Sequence, residues 1–305
     1  MLVIVLKDIS KKLQNKLVLD EISFHIAANE SVGIIGLNGA GKTTLLNVMA
    51  GLIKPDKGFI RVGGTENVLE DKQVRRELAY VSGTKSQLWE EIRIKDSFSY
   101  CMKMYQIPEE QARKRLKKLV GIFEIAELVH SVPGSLSLGE KMRCELVYAL
   151  LAEPKILLLD EAMIGLDGSI KYKIMQYLME LRDEKKTTII YTSHNLVEVE
   201  QVCDRIILID KGRIIFDGSR DKIMREFAPL YHLCVKVEEA LPDFEDLPLE
   251  KIKIEQDRLH IIYDNQKIDT AQILRHIMEK CKIQDVRLQK PDLEGTIRKI
   301  YGRVE

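Results

Sequence analysis

Gly36-Leu37-Asn38-Gly39-Ala40-Gly41-Lys42-Thr43-Thr44 (GLNGAGKTT) lies between two segments of opposite character. Before it runs Ser31-Val-Gly-Ile-Ile35, a short apolar stretch of the kind that forms a buried strand. After it, Leu45, Leu46, Val48 and Met49 share one face of a helix that stops at Gly51. Gly36, Gly41, Lys42 and Thr43 fit G-x-x-x-x-G-K-[ST], and strand, glycine-rich turn and helix in that order predict a phosphate cradle. The glycines let the backbone curl so that successive N–H groups point inward, and the helix start adds the positive end of its dipole. Asn38, Gly39, Ala40 and Thr44 complete the expected phosphate contacts. Lys42 should reach the β- and γ-phosphates of a nucleoside triphosphate, and the Thr43 hydroxyl should ligate Mg²⁺.

A second apolar segment, Ile156-Leu-Leu-Leu-Asp160-Glu161, reads as a buried strand ending in two acids. Asp160 is placed to hold the water shell of Mg²⁺, and Glu161 to polarise an attacking water. Many buried strands end in an acid, so the pattern gains its meaning from the phosphate loop. His194 follows the strand Thr187-Thr-Ile-Ile-Tyr-Thr-Ser193, where a neighbouring strand would deliver an imidazole toward the γ-phosphate.

Working outward, residues 1 to about 35 alternate apolar and polar positions with short polar turns, the mark of antiparallel strands. From about Asp96 to Val132 the sequence becomes charged and helical, with two amphipathic helices parted by Pro108. Helices near Gly139–Ala152, Ser169–Glu184 and Leu196–Val202 and the hairpin turning at Asp210-Lys211-Gly212 make the core α/β. After Phe227 the style changes, and residues 229–305 predict a small separate α+β module with strand-like Leu259–Asp264 and Ile283–Gln289 and helices at Thr270–Cys281 and from Asp292. His260, His276 and Cys281 of that module read as scattered core residues in preference to a metal site.

The 305 residues carry 47 basic and 47 acidic side chains. That balance argues against a duplex-binding surface, and the Arg113–Lys118 run suits a solvated helix face. The longest apolar stretches fall well short of the roughly 18 residues that span a bilayer. No basic flank, extended apolar run and cleavage site open the sequence, so a cytoplasmic home is expected. The five cysteines (Cys101, Cys144, Cys203, Cys234, Cys281) lie far apart with no Cys-x-x-Cys, as expected of reduced packing thiols.

Together these motifs resemble the ATP-binding cassette ATPases. GLNGAGKTT resembles their Walker A, ILLLDE their Walker B, Gly165-Leu166-Asp167 their D-loop, His194 their switch histidine, and Leu136-Ser137-Leu138-Gly139-Glu140 their signature. The resemblance covers residues 1 to about 225. It implies a P-loop NTPase cassette over 1–228: a RecA-like core, an antiparallel β subdomain and a helical subdomain at about 90–150. It implies ATP and Mg²⁺ as cofactors, and a head-to-tail pair in which Ser137, the Gly139 N–H and Glu140 at a helix start face the γ-phosphate held by the other copy. Several positions depart from the family pattern. Leu138 stands where Gly is usual, and Ala162 where Pro follows the catalytic Glu. Thr84 falls at the family's Q-loop glutamine with Gln87 three residues later, so the expected metal-water role goes to one or the other of these two. Leu13 takes the place of the aromatic that stacks on adenine, which predicts ATP binding with poor discrimination among bases.

Within that family, one cassette, the SLGEKMR signature and the C-terminal appendage are similar to the ATPase subunits of ABC-2 type exporters of drugs, lipids, polysaccharides or peptides. The similarity implies a separately encoded transmembrane permease, a homodimer or a related second ATPase subunit, a peripheral place on the cytoplasmic face of the membrane, and no nucleic acid partner. Leu88, Trp89 and Ile92 are the candidates for the permease contact. The alternative is a soluble cassette ATPase acting on ribosomes or nucleic acid or as a regulator. Against it stand the single cassette, the zero net charge and a gap of only about 90 residues between Walker A and signature.

Overall fold

The computed structural model describes residues 2–66, 68–83, 85–193, 195–237, 243–244, 246–255 and 258–304. The chain divides into two compact units, Met1–Gly218 and Ser219–Glu305.

The first unit opens with the antiparallel hairpin β1 (Leu2–Leu13) and β2 (Lys16–Ala27), turned at Gln14 and Asn15, both in the left-handed region. Its inward residues are Ile4, Leu6 and Ile9 on β1 and Leu19, Ile22, Phe24 and Ile26 on β2. The step from Leu6 to Ile9 is no longer even, and a register shift falls there, with Asp8 at φ 53°. An extra residue at such a bulge keeps the apolar set facing the core. Next come β3 (Ser31–Ile35), α1 (Lys42–Met49) and β4 (Lys57–Val62), which pairs with the free side of β1. α2 (Lys72–Glu77) is a short, polar helix that periodicity does not announce; it is capped by the Asp71 carboxylate, which accepts from the Gln73 and Val74 amides.

β5 (Leu78–Ser82) then leads to a helical region of α3 (Ile94–Met104), α4 (Glu109–Ile122) and α5 (Leu138–Leu151). Pro108 sits at the N-cap of α4, where its missing N–H costs nothing. β6 (Ile156–Asp160), α6 (Gly168–Asp183), β7 (Thr188–Thr192), α7 (Leu196–Val202), β8 (Arg205–Asp210) and β9 (Arg213–Ser219) follow. They complete a six-stranded sheet in the order β5-β6-β7-β3-β8-β9, parallel from β5 through β8. Every residue of β3, β6 and β7 is buried, which is why these strands read as unbroken apolar runs instead of alternating ones. Because they are adjacent and parallel, their carboxyl ends deliver the phosphate loop, Asp160-Glu161 and Thr192-Ser193 to one edge of the sheet, where open α/β sheets bind ligands.

The second unit comprises α8 (Arg220–Phe227), β10 (Leu230–Val237), β11 (Leu249–Glu255), β12 (Arg258–Asp264), α9 (Thr270–Met278), β13 (Ile283–Gln289) and α10 (Leu293–Val304). Its antiparallel sheet runs β11-β12-β10-β13, and Leu233, Val235, Leu259, Ile261 and Tyr263 form a core with Ile273 and Ile277 of α9. α8 joins this unit: Ile223 is buried, and the hydroxyl of Thr296 in α10 reaches Met224 Sδ at 3.7 Å. Sequence patterning found β12, α9, β13 and α10 but not β10 or β11. In β10 the outer face carries His232, Cys234 and Lys236, and in β11 both isoleucines, Ile252 and Ile254, stay exposed. His260 lies 3.0 Å from His232 (Nδ1 to Nε2), His276 contacts the Asp243 carbonyl at 2.6 Å, and Cys281 joins the core. All five cysteines are free and buried, and burial pushes the Cys101 and Cys144 thiols up to about 12.

Candidate nucleotide site

The loop from Gly36 to Gly41 closes on itself through the Ala40 N–H, which donates to the Leu37 carbonyl at 3.1 Å. Gly41, the N-cap of α1, has φ 109°, and a Cβ there would stand 2.8 Å from the Val18 carbonyl oxygen, so only glycine fits. Asn38, Gly39 and Thr43 are exposed on the rim, while Gly36, Ala40, Lys42 and Thr44 are buried. The start of α1 has no side-chain cap and no acid in its first turn. Its amides and dipole therefore face outward without a carboxylate of this helix to neutralise them.

The Lys42 ammonium donates to the Gly36 carbonyl at 2.8 Å and the Leu37 carbonyl at 3.3 Å, and lies 3.9 Å from Glu161 Oε1. Burial pushes its pKa below the usual lysine value, against the pull of the Glu161 and Asp160 carboxylates. A buried cation held mainly by carbonyls is suited to an added anion, whose charge would offset that desolvation.

Asp160, at the end of β6, is 4% exposed. Its Oδ1 accepts from the Thr192 hydroxyl at 2.6 Å and its Oδ2 from the Tyr80 hydroxyl at 3.5 Å. Burial and the Asp160 charge push the Tyr80 phenol up to about 12, so it stays a donor. Glu161 follows at φ 51°, its N–H donating to both the carbonyl and the hydroxyl of Thr192 at 3.1 Å. The left-handed turn swings the Glu161 carboxylate out of the sheet toward Lys42, and Ala162 behind it is fully buried. The Thr43 hydroxyl and the Asp160 carboxylate are hard oxygen donors, the set that Mg²⁺ takes. Thr192 and Tyr80 escaped sequence reading, because their roles arise between neighbouring strands and not within one motif. The polar residues closing the apolar strand, Thr192 and Ser193, were the available hint.

At the second helix start, Ser137 caps α5 in a reciprocal box: its Oγ accepts from the Glu140 N–H at 3.4 Å, and Glu140 Oε2 accepts from the Ser137 N–H at 2.9 Å and its hydroxyl at 2.8 Å. These bonds from the Ser137 amide and hydroxyl hold the Glu140 carboxyl below its usual range. Glu140 thus serves the helix itself, while Ser137 and Leu138 remain exposed. Gly139 lies against the D-loop turn, where a Cβ would stand 2.3 Å from the Gly165 carbonyl oxygen.

Thr84 and His194 lie outside the described residues. Gln87 is exposed but tied to the protein: its side-chain amide donates to the Tyr80 carbonyl, and its N–H donates to Glu145 at 3.0 Å. Glu145, buried in α5, also receives the Ser86 hydroxyl and holds this loop on the helix. Leu13 is 38% exposed at the tip of the β1-β2 hairpin. Of the three contact candidates, Leu88 is buried, Ile92 half-buried and Trp89 52% exposed. Trp89 lies against Tyr100 with ring centroids 4.7 Å apart. Leu88 is therefore a packing residue, and the exposed aromatic pair is Trp89 with Tyr100 instead.

A phosphate loop opening from β3 of a mainly parallel sheet, with a buried aspartate and a glutamate at the end of β6 two strands away and a separate serine-capped helix start, defines a P-loop ATPase of the cassette type. The family model for the ABC transporter matches residues 19–164. The ABC transporter ATP-binding protein NatA of Bacillus subtilis (strain 168) is 30% identical over 224 residues, 72% of this chain and 91% of that protein. The linearmycin resistance ATP-binding protein LnrL of the same organism is 27% identical over 309 residues, 97% of each. A dimeric structure of the ATP-binding cassette MJ0796 with ADP and Pi superposes with a TM-score of 0.64 at 25% identity, over 71% of this chain and 98% of that one. Relatives named for import align over 67 to 72% of this chain. The chain belongs to the ATP-binding cassette family of ABC transporters; it is a nucleotide-binding ATPase with the cassette fold.

Proposed function

We propose that this chain energises an ABC-2 type exporter of a drug, lipid, polysaccharide or peptide, two copies or a copy and a related subunit closing over MgATP beside a membrane permease. The observation that carries the ATPase chemistry is the uncapped start of α1, with buried Lys42 behind it and Glu161 3.9 Å away. Export is supported by the extent of similarity: LnrL aligns over nearly the whole chain, the C-terminal unit included, whereas the import-named relatives align over 209 and 220 residues, no more than the length of the cassette.

In this reading the backbone of Gly36–Thr44 and the Lys42 ammonium bind the triphosphate. Thr43 and Asp160 would hold Mg²⁺, which when bound would neutralise charge on the triphosphate. Glu161 takes a proton from the attacking water, and His194 orients the γ-phosphate. Thr84 or Gln87 would add a contact to the ion's water. Ser137 and Gly139 address the triphosphate of the other copy, which requires the Ser137 hydroxyl to turn from Glu140. Leu13 lies under the base. Trp89 and Tyr100 receive the permease from the cytoplasmic side; among the described residues no helix is long and apolar enough to cross a membrane.

Co-purification with the product of a neighbouring gene for a six-helix membrane protein, with ATP hydrolysis abolished by Lys42→Ala and Glu161→Gln, is the test. Recovery with that protein is the expected result. Repeated recovery with ribosomes, or a fully active Glu161→Gln variant, would overturn the reading.

A further inference from the structure

A buried carboxylate outside the motifs holds the segment that carries His194. Glu198 on α7 is 4% exposed and bonded on every side. Its Oε2 accepts from the Tyr191 hydroxyl and from the Ser193 hydroxyl at 2.9 Å. Its Oε1 accepts from the Asn195 side-chain amide at 3.1 Å and the Lys171 ammonium at 3.0 Å. Ser193 and Asn195 are the residues on either side of His194. Both also form the cap of α7: the Asn195 N–H donates to Ser193 Oγ at 2.9 Å and the Val197 N–H to Asn195 Oδ1 at 3.1 Å. Lys171 belongs to the first turn of α6, its N–H donating at 3.0 Å to the carbonyl of Asp167, the last D-loop residue.

Four donors, one from β7, two from the loop and one from α6, therefore converge on one side chain of α7. Taking a carboxylate out of water is costly unless its lone pairs are filled, and here each oxygen has two donors. Burial works against the charge, yet the bonds from Tyr191, Lys171 and Ser193 keep the Glu198 carboxyl below its usual range. β7 thus splits its polar end between two acids: Thr192 turns to Asp160, while Tyr191 and Ser193 turn to Glu198.

We infer that Glu198 is a positioning residue for His194, pinning the loop on both flanks and tying it to the helix that leaves the D-loop. Through Lys171 the flanking residues Ser193 and Asn195 share their anchor with the helix that leaves the Gly165–Asp167 turn. This rests on the reading of His194 as a participant in hydrolysis.

Glu198→Gln keeps the shape but removes the charge and turns a donor against the donors already present. In the full-length chain, kcat for ATP should fall by at least about tenfold while nucleotide affinity stays within about threefold. Placed on His194→Ala, the same substitution should cost less than about twofold more, because the group it positions is gone. Without nucleotide, the amides of Asn195 and Val197 should exchange hydrogen at least about tenfold faster than in the wild type. Full multiplicativity with His194→Ala would mean a merely structural acid, and unchanged exchange at the two amides would mean that nothing is pinned; either overturns the inference. If Glu198→Gln does not fold, Tyr191→Phe combined with Lys171→Met removes two of its donors and carries the same three readouts. Exchange needs no catalysis, so a wild-type chain that fails to hydrolyse ATP would sink the functional reading separately from the pinning.

Discussion

Thr192→Val tests how the two acids at the end of β6 are aimed. The hydroxyl donates to Asp160 Oδ1 at 2.6 Å and accepts from the Glu161 N–H at 3.1 Å, so one oxygen touches both. Valine has the same branching and strand preference, and the Glu161 N–H keeps its bond to the residue 192 carbonyl. What is lost is one hydrogen bond to a buried charge, worth about 1.5–3 kcal/mol. The hydroxyl of Tyr80, at 3.5 Å, replaces little of it. If that energy is needed to hold the carboxylate proposed to bind Mg²⁺ in its reactive orientation, kcat falls by about 10- to 100-fold, at about 1.4 kcal/mol per factor of ten. Nucleotide affinity without Mg²⁺ should not change, and the Mg²⁺ concentration for half-maximal binding should rise. Thr192→Ser should recover most of the rate. Steady-state turnover with a fluorescent-nucleotide titration at varied Mg²⁺ reads all three; a valine variant within twofold of wild type, or a serine variant as poor as valine, would refute the reasoning.

Glu140→Gln keeps an acceptor for the α5 cap but removes a negative charge from the helix start that is proposed to meet a second triphosphate. ATP-dependent pairing measured by light scattering should tighten several-fold at low salt, and the gain should shrink as salt screens it. Burial raises the pKa of Glu145, outweighing its bonds from Ser86, Gln87 and Leu88. Because a raised carboxyl contributes most below its unfolded value of about 4.5 and loses that contribution as pH climbs through the folded value, Glu145→Gln should gain denaturation midpoint relative to wild type between pH 4.5 and 7. An unchanged difference across that range would count against it. With Leu13 in place of an aromatic, GTP should bind within about tenfold of ATP in competition titrations; a larger gap would show that other residues read the base.

What the sequence made legible was local. The phosphate loop, the acids closing β6 and the alternation of β1 and β2 are contiguous patterns, each enforced by a short stretch of backbone. Strands buried on both faces, such as β6 and β7, are easily seen because nothing polar interrupts them. The anchors were not legible, because each joins residues distant in the chain: Glu145 to Ser86 and Gln87, Thr192 to Asp160, Glu198 to Lys171. A single buried carboxylate inside a helix looks like surface until its donors are placed around it. β10 and β11 were hidden for the opposite reason, since a half-covered sheet leaves isoleucines outside and histidines where polar contrast was expected. Glu140 shows a third limit: in sequence it is one residue of the signature, and only its reciprocal bonds with Ser137 reveal it as the helix's own cap.

In the proposed dimer, a triphosphate bound at α1 of one copy is completed by the Ser137 helix start of another. Sedimentation of Glu161→Gln, with and without saturating MgATP, measures this directly. The predicted result is a species of twice the chain mass that appears only with nucleotide and is lost when Ser137→Arg is added. A single-chain species under all conditions, alone and beside the membrane partner, would contradict it.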